Sequence, residues 1–173
     1  RYLEHHCNQR LGNSNENLYG LTAIDFDTEA LGTGKLIILK AKGVMPDGVT
    51  FDIPVDTPAP PPLTITNTQA VGQAVYLVLP LRKPGIGEMQ DGGRYNIISQ
   101  EVKDQHSTGG EYANLKIAQL QFRLMLDSED RSDYSTLAIT RILDKGMDNT
   151  ISIDPNYYPC LLYTSPSPRD TNP

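Results

Sequence analysis

Gly43-Val44-Met45-Pro46-Asp47-Gly48-Val49-Thr50-Phe51-Asp52-Ile53-Pro54 places a turn between two apolar runs. Pro46 presets φ for a turn, Asp47 can bond the local backbone, and Gly48 takes a positive φ at little cost. The stretch predicts a β-hairpin, with a strand over 35–44 entering and a strand over 49–53 returning. Leu36, Ile37, Ile38 and Leu39 are apolar in succession, which predicts burial on both faces of the entering strand.

Strand signals continue on either side. Residues 18–26 read as a strand and 28–34 as a turn or helical connector. Four prolines surround Ala59 over 58–62. They cannot donate to a ladder and predict an extended polyproline segment over the surface. Between two strands this is a rigid connector, preferred to an SH3-type ligand. Val75, Leu77, Leu79 and Leu81 alternate with Tyr76, Val78 and Pro80, the pattern of a half-buried strand. A Gly-rich loop over 83–94, a strand over 95–102 and a polar connection over 104–110 follow. Leu115 and Ile117 begin an alternation whose phase shifts near Ala118-Gln119. Leu120, Phe122, Leu124 and Leu126 then share one face. Such a shift predicts a bulge or a hairpin turn. A charged loop over 127–133 and strands over 137–143 and 150–153, joined by a loop with Gly146, close the series. Short strands with turn signals at this spacing predict a mainly β chain with a β-sandwich over 18–159. There is no internal repeat.

Both ends read differently. Leu3, Cys7 and Leu11 fall at i, i+4 and i+8, Arg10 suits the negative end of a helix dipole, and Gly12-Asn13 is a stop signal. Residues 1–12 are therefore the end of a short N-terminal helical segment, whose stripe packs either on a partner or on the chain's own core. The first residue is Arg1 and not Met, so the natural N-terminus is expected upstream. Cys160-Leu161-Leu162-Tyr163-Thr164-Ser165-Pro166-Ser167-Pro168-Arg169-Asp170 is similar to the translation of a transposase-type sequencing adapter. Residues 160–173 are expected to be an adapter-derived artefact, disordered and outside the fold. A natural Ser/Pro-rich tail is the alternative, also disordered. On the first reading Cys160 says nothing about redox compartment.

Composition bounds the function. A chain of 173 residues accommodates one domain with a flanking segment and can bury a core without disulfides or a metal. Its 14 Gly and 13 Pro imply many turns. A formal net charge of −6 argues against nucleic acid, whose binding needs Lys and Arg on phosphates, and against an anionic membrane surface. The apolar runs 36–39 and 75–81 are strand-length, too short to span a membrane. Two distant cysteines make no disulfide framework.

Chemical motifs are weak. His5, His6 and Cys7 are neighbours on a helix and cannot all face one ion, and His106 lies far off in the sequence. Gly32-Thr33-Gly34-Lys35 shares part of a phosphate-loop pattern, but Glu29 stands three positions before Gly32, and the segment enters a strand rather than a helix. Asp127, Glu129, Asp130 and Asp133 lack the alternating ligands and central Gly of a calcium loop. Asp25, Asp27, Asp52 and Asp56 could be nominated for acid–base work only because carboxylates are common. There is no nucleophile elbow. No catalytic, cofactor-binding or metal-ligating residue is assigned, and no cofactor or small-molecule substrate is expected.

The hairpin stretch 43–54 resembles the G-x-F-P-D-G-x-x-F-D-I-P segment of the TssK family of type VI secretion baseplate proteins, also called VasE or ImpJ. Further matches keep the family's order. Arg1-Tyr2-Leu3-Glu4 resembles the end of its Q-Q-x-D-R-Y-x-E segment, and Pro60-Pro61-Pro62-Leu63 its proline run. Val75-Tyr76-Leu77-Val78-Leu79-Pro80-Leu81 resembles its V-Y-L-A-L-P-L strand, and 118–126 and 137–142 its later strands. Asp154-Pro155-Asn156-Tyr157-Tyr158-Pro159 resembles its D-x-x-F/Y-I-P-P close. Met45 replaces an aromatic residue and Tyr158 an Ile. The resemblance implies a shoulder domain like that of phage receptor-binding proteins, in a cytoplasmic homotrimer at the inner face of the bacterial inner membrane. It implies binding of the wedge proteins TssF and TssG by this N-terminal domain. It places the contacts with the membrane-complex proteins TssL and TssM in a C-terminal part that is absent here. It carries no catalytic residue or cofactor, and no short motif marks its partner-binding residues. The domain alone is expected to be monomeric or poorly soluble. The alternative is a phage-tail or receptor-binding-type β-sandwich interaction domain, which shares the fold.

Overall fold

The Pro46-Asp47-Gly48 turn closes as its residue types dictate. Gly48 N–H donates to the Met45 carbonyl at 2.9 Å, Met45 N–H to the Val49 carbonyl at 2.8 Å, and Val49 N–H to Asp47 Oδ1 at 3.3 Å. Gly48 has φ 90°. This computed structural model describes residues 19–82, 93–103, 109 and 112–157. The expected helix over 1–12, His5, His6, Cys7, His106, most of the loop 83–94 and the segment 160–173 lie outside the described residues.

The chain runs β1 (Gly20–Phe26), α1 (Thr28–Leu31), β2 (Lys35–Leu36), β3 (Ile38–Val44), β4 (Thr50–Ile53) and β5 (Leu63–Thr64). It continues through β6 (Ala74–Pro80), β7 (Tyr95–Lys103), β8 (Tyr112–Leu120), β9 (Arg123–Leu126), β10 (Tyr134–Lys145) and β11 (Ile151–Ile153). One sheet has the order β1-β3-β4, the other β11-β10-β6-β9, and two-stranded ribbons join β2 to β5 and β7 to β8. All the pairings are antiparallel. The fold is mainly β, as expected.

The sheets share one core. Leu21, Ala41, Phe51 and Ile53 from the first meet Leu77, Leu79, Leu124, Leu137, Ile139, Ile142 and Ile151 from the second. The Phe51 ring lies 5.1 Å from that of Phe122, tilted by 59°, a favoured aromatic geometry. Gly43 is required by close approach: a Cβ there would meet the Gly20 carbonyl oxygen at 2.2 Å.

Three expectations are corrected. The strand over 35–44 is two strands, because the chain changes partner at Ile37: β2 pairs with β5, β3 with β1 and β4. Leu36 and Ile38 are buried, but Leu39 turns outward and is 49% exposed. The phase shift near 118–119 is neither bulge nor hairpin turn. β8 ends at Leu120, and Gln121-Phe122 carry the chain from one ribbon into the second sheet. Leu120, Phe122, Leu124 and Leu126 do all pack in the core. Finally, β6 is more than half-buried. It lies between β10 and β9, and Val78 is buried on the face opposite Leu77 and Leu79, while Leu81 emerges beyond the strand.

Connectors follow local chemistry. Asp27 Oδ1 caps α1 by accepting from Glu29 N–H at 3.0 Å and Ala30 N–H at 3.3 Å. Residues 58–62 carry no ladder, as their prolines require; Pro60 is buried and the other three are exposed.

Candidate partner-binding interface

β7 and β8 form an arm. They pair over nine positions, from Tyr95 opposite Leu120 outward, and join neither sheet. Directly opposed residues of an antiparallel pair share a face, and successive pairs alternate faces. One face therefore carries Ile98 with Ile117, Gln100 with Leu115, and Val102 with Ala113. The other carries Ile97 with Ala118, then Ser99 with Lys116 and Glu101 with Asn114. The first face holds no charge from Asn96 to Val102. On it Leu115 is 50% exposed and Val102 and Ile117 are open to a little over a third, while on the other face Ile97 is exposed beside Ser99, Lys116 and Glu101. At about 3.4 Å per residue the arm is roughly 30 Å long.

Its root is anchored. Arg94 precedes β7, and its carbonyl accepts from Gln121 N–H, just after β8, at 2.8 Å. Its guanidinium is 3% exposed and donates through Nη2 to Asp47 Oδ2. The Asp47 carboxylate thus closes the turn through one oxygen and holds the arm's root through the other. Arg94 Nε has no partner among the described residues.

A second cluster holds the segment that follows β11 against β10. Asp154 accepts from Arg141 Nη2 and, at 2.9 Å, from Asn156 N–H. These bonds, the arginine's first, hold its carboxyl below the usual carboxylate range. Tyr157 packs beneath the Arg141 guanidinium, 5.9 Å from the ring centre. Burial first, then the neighbouring Tyr76, pushes its hydroxyl up to about 12. Burial, followed by Asp127, also raises the Tyr76 hydroxyl. Tyr76 donates to Asp127 Oδ1 at 3.2 Å, and Arg131 lies 3.9 Å over its ring.

Among the described residues, several of the other nominated ones take local structural roles. Gly32 ends α1, Gly34 has φ 81°, and the chain then enters β2, so no helix opens on this loop. Arg131 donates to Asp127 Oδ1 at 3.1 Å, Glu129 Oε2 accepts from Leu126 N–H at 2.7 Å, and Asp130 Oδ1 accepts from Ser132 N–H at 3.0 Å. Each of these three carboxylates is engaged within its own loop. Asp56 accepts from Asp52 N–H and from the Thr57 hydroxyl. No group of three or more His, Cys, Asp or Glu converges on a metal-sized site among the described residues. A shallow cleft lined by Thr64, Asn67, Gln69, Gln73, Leu126 and Ser128 has no titratable group in its wall. No described helix is long and apolar enough to cross a membrane. Sequence reasoning missed the arm's separation and Arg94. The alternation of Ile98, Gln100 and Val102 with Leu115 and Ile117 signalled two strands, but nothing local said that they stand apart.

The whole chain has relatives. Residues 1–172 match the family described as bacterial type VI secretion, EvfL, ImpJ, VasE. The chain belongs to that family. It is 33% identical over 174 residues to the type VI secretion system baseplate component TssK1 of Pseudomonas aeruginosa, covering 97% of this chain and 39% of the relative. A crystal structure of TssK superposes with a TM-score of 0.73 at 30% identity, over 93% of this chain and 37% of that one. A cryo-electron microscopy structure of a TssK-TssF-TssG baseplate subcomplex superposes with a TM-score of 0.72 at 20% identity, over 92% and 54%. The chain thus spans well under two thirds of these relatives. The TssK1 relative is a baseplate component of a type VI secretion system, and the family match over residues 1–172 places this chain among secretion proteins of that kind.

Proposed function

We propose that this chain is the wedge-facing part of a type VI secretion baseplate adaptor, and that it seats proteins of the TssF and TssG kind on the β7–β8 arm. The observation that carries the reading is the arm's uncharged face, where Leu115, Ile117 and Val102 stand exposed outside the core. An exposed apolar strip on an otherwise charged chain marks an interaction surface. Membership of the secretion family, and the naming of TssF and TssG beside TssK in the solved subcomplex, supply the occupant. The face measures about 30 Å by about 10 Å, well below the roughly 800 Å² per partner of a stable independent interface. The wedge partner therefore clasps the arm while also touching the sandwich.

In the whole family protein this domain sits in a cytoplasmic homotrimer, with the contacts to TssL and TssM borne by the remaining length. On this reading residues 18–159 are the shoulder and 160–173 are adapter-derived. Co-purification with TssF and TssG from the same operon tests the reading. A complex that survives mild salt supports it, and a chain that elutes alone counts against it.

A further inference from the structure

We propose that Asp47 is a positioning residue that sets the direction of the β7–β8 arm. The inference goes beyond the wedge-binding reading, because it concerns the arm's geometry whatever the arm binds.

Three observations converge. The arm joins neither sheet, so no ladder fixes its angle. Its two strands meet at one root, where Gln121 N–H donates to the Arg94 carbonyl. At that root the Arg94 side chain reaches 47 residues back in sequence to Asp47 and is almost wholly buried in doing so. A buried charge that loses its partner is left uncompensated and turns toward water. Here such a turn swings the root of β7. Asp47 is itself held, because its second oxygen accepts from Val49 N–H in the tight turn between β3 and β4. The carboxylate is thus a rigid peg on the sandwich, and Arg94 is the arm's hook. The Pro46-Asp47-Gly48 turn has two tasks: it reverses a hairpin, and it aims a ribbon.

The test is a distance measurement on the full chain, with Cys7 and Cys160 replaced by Ser. Spin labels are placed at Ser99→Cys on the arm's polar face and Lys40→Cys on β3. The parent should give one narrow distance distribution. Asp47→Asn preserves an oxygen for Val49 N–H while removing the charge, and Arg94→Met removes the hook but leaves the turn. Each should broaden the distribution about twofold, because each removes the buried pair. The double variant should broaden it no further. Asp154→Asn breaks a different carboxylate–arginine pair, one that joins β10 to the segment after β11 and not the arm, and should leave the distribution narrow. An unchanged width in Asp47→Asn and Arg94→Met overturns the proposal. So does equal broadening in Asp154→Asn, which would signify general loosening. No partner protein enters the measurement, so failure of the wedge-binding reading and failure of this one are separable.

Discussion

Phe51→Ala removes the ring that joins the two sheets. Phe51 is 2% exposed, and its ring stands 5.1 Å from Phe122, which leads into the opposite sheet. Truncation to Ala forfeits about 130 Å² of buried apolar surface, worth about 3 kcal/mol at roughly 25 cal/mol per Å². Loss of the tilted aromatic pair adds about 1 kcal/mol. The expected cost of about 4 kcal/mol lies within the range of about 3–5 kcal/mol for Phe→Ala substitutions in cores. It is a large part of a stability of roughly 5–15 kcal/mol. The chain has no Trp and nine Tyr, so urea unfolding followed by tyrosine fluorescence and circular dichroism reads the loss. Phe122→Ala should cost a similar amount, and a double-mutant cycle should return a coupling of about 1 kcal/mol. A cost below about 1 kcal/mol at unchanged m-value, or a cycle with no coupling, would show that the sheets do not pack through this pair.

Other consequences are equally open to measurement. Gly43→Ala forces a Cβ against the Gly20 carbonyl and should cost about 1–3 kcal/mol by thermal melting, whereas Val55→Ala, at 79% exposure, should be nearly neutral. Asp154 has a lowered folded-state value, so its contribution to stability is full above the ordinary 3.8 and is lost as pH falls through the lowered value. Stability should therefore fall more steeply with acid in the parent than in Asp154→Asn, measured by urea midpoints across that range. In an alkaline difference-absorbance titration Tyr157 should ionise near pH 12, and Tyr157→Phe should remove that late component.

What the sequence disclosed follows the range of the interactions. The Pro46-Asp47-Gly48 hairpin was legible because its bonds span only a few residues, from Met45 to Val49. The same holds for the loop carboxylates Glu129 and Asp130, whose partners lie two or three positions away. The break at Ile37 was not legible. It arises when β2 takes a partner near Leu63 while β3 takes partners on either side. Four successive apolar residues cannot disclose such a choice, because strand pairing depends on tertiary context more than on local preference. For the same reason the phase shift at 118–122 announced a discontinuity without revealing a change of sheet. The arm's alternation was visible, but its lack of a neighbour was not. Arg94 was hidden most completely: a single arginine in a Gly-rich stretch gives no local sign of an ion pair with Asp47.

The central claim is that the uncharged face of the β7–β8 arm meets the baseplate wedge. Photo-cross-linking tests it most directly, with a benzophenone amino acid at Leu115 of this chain, co-expressed with TssF and TssG from the same operon and irradiated in the assembled state. The account predicts an adduct with TssF or TssG from Leu115 in clearly higher yield than from the same probe at Lys40 on β3. An adduct only with a second copy of the chain, or equal yields from both positions, would contradict it.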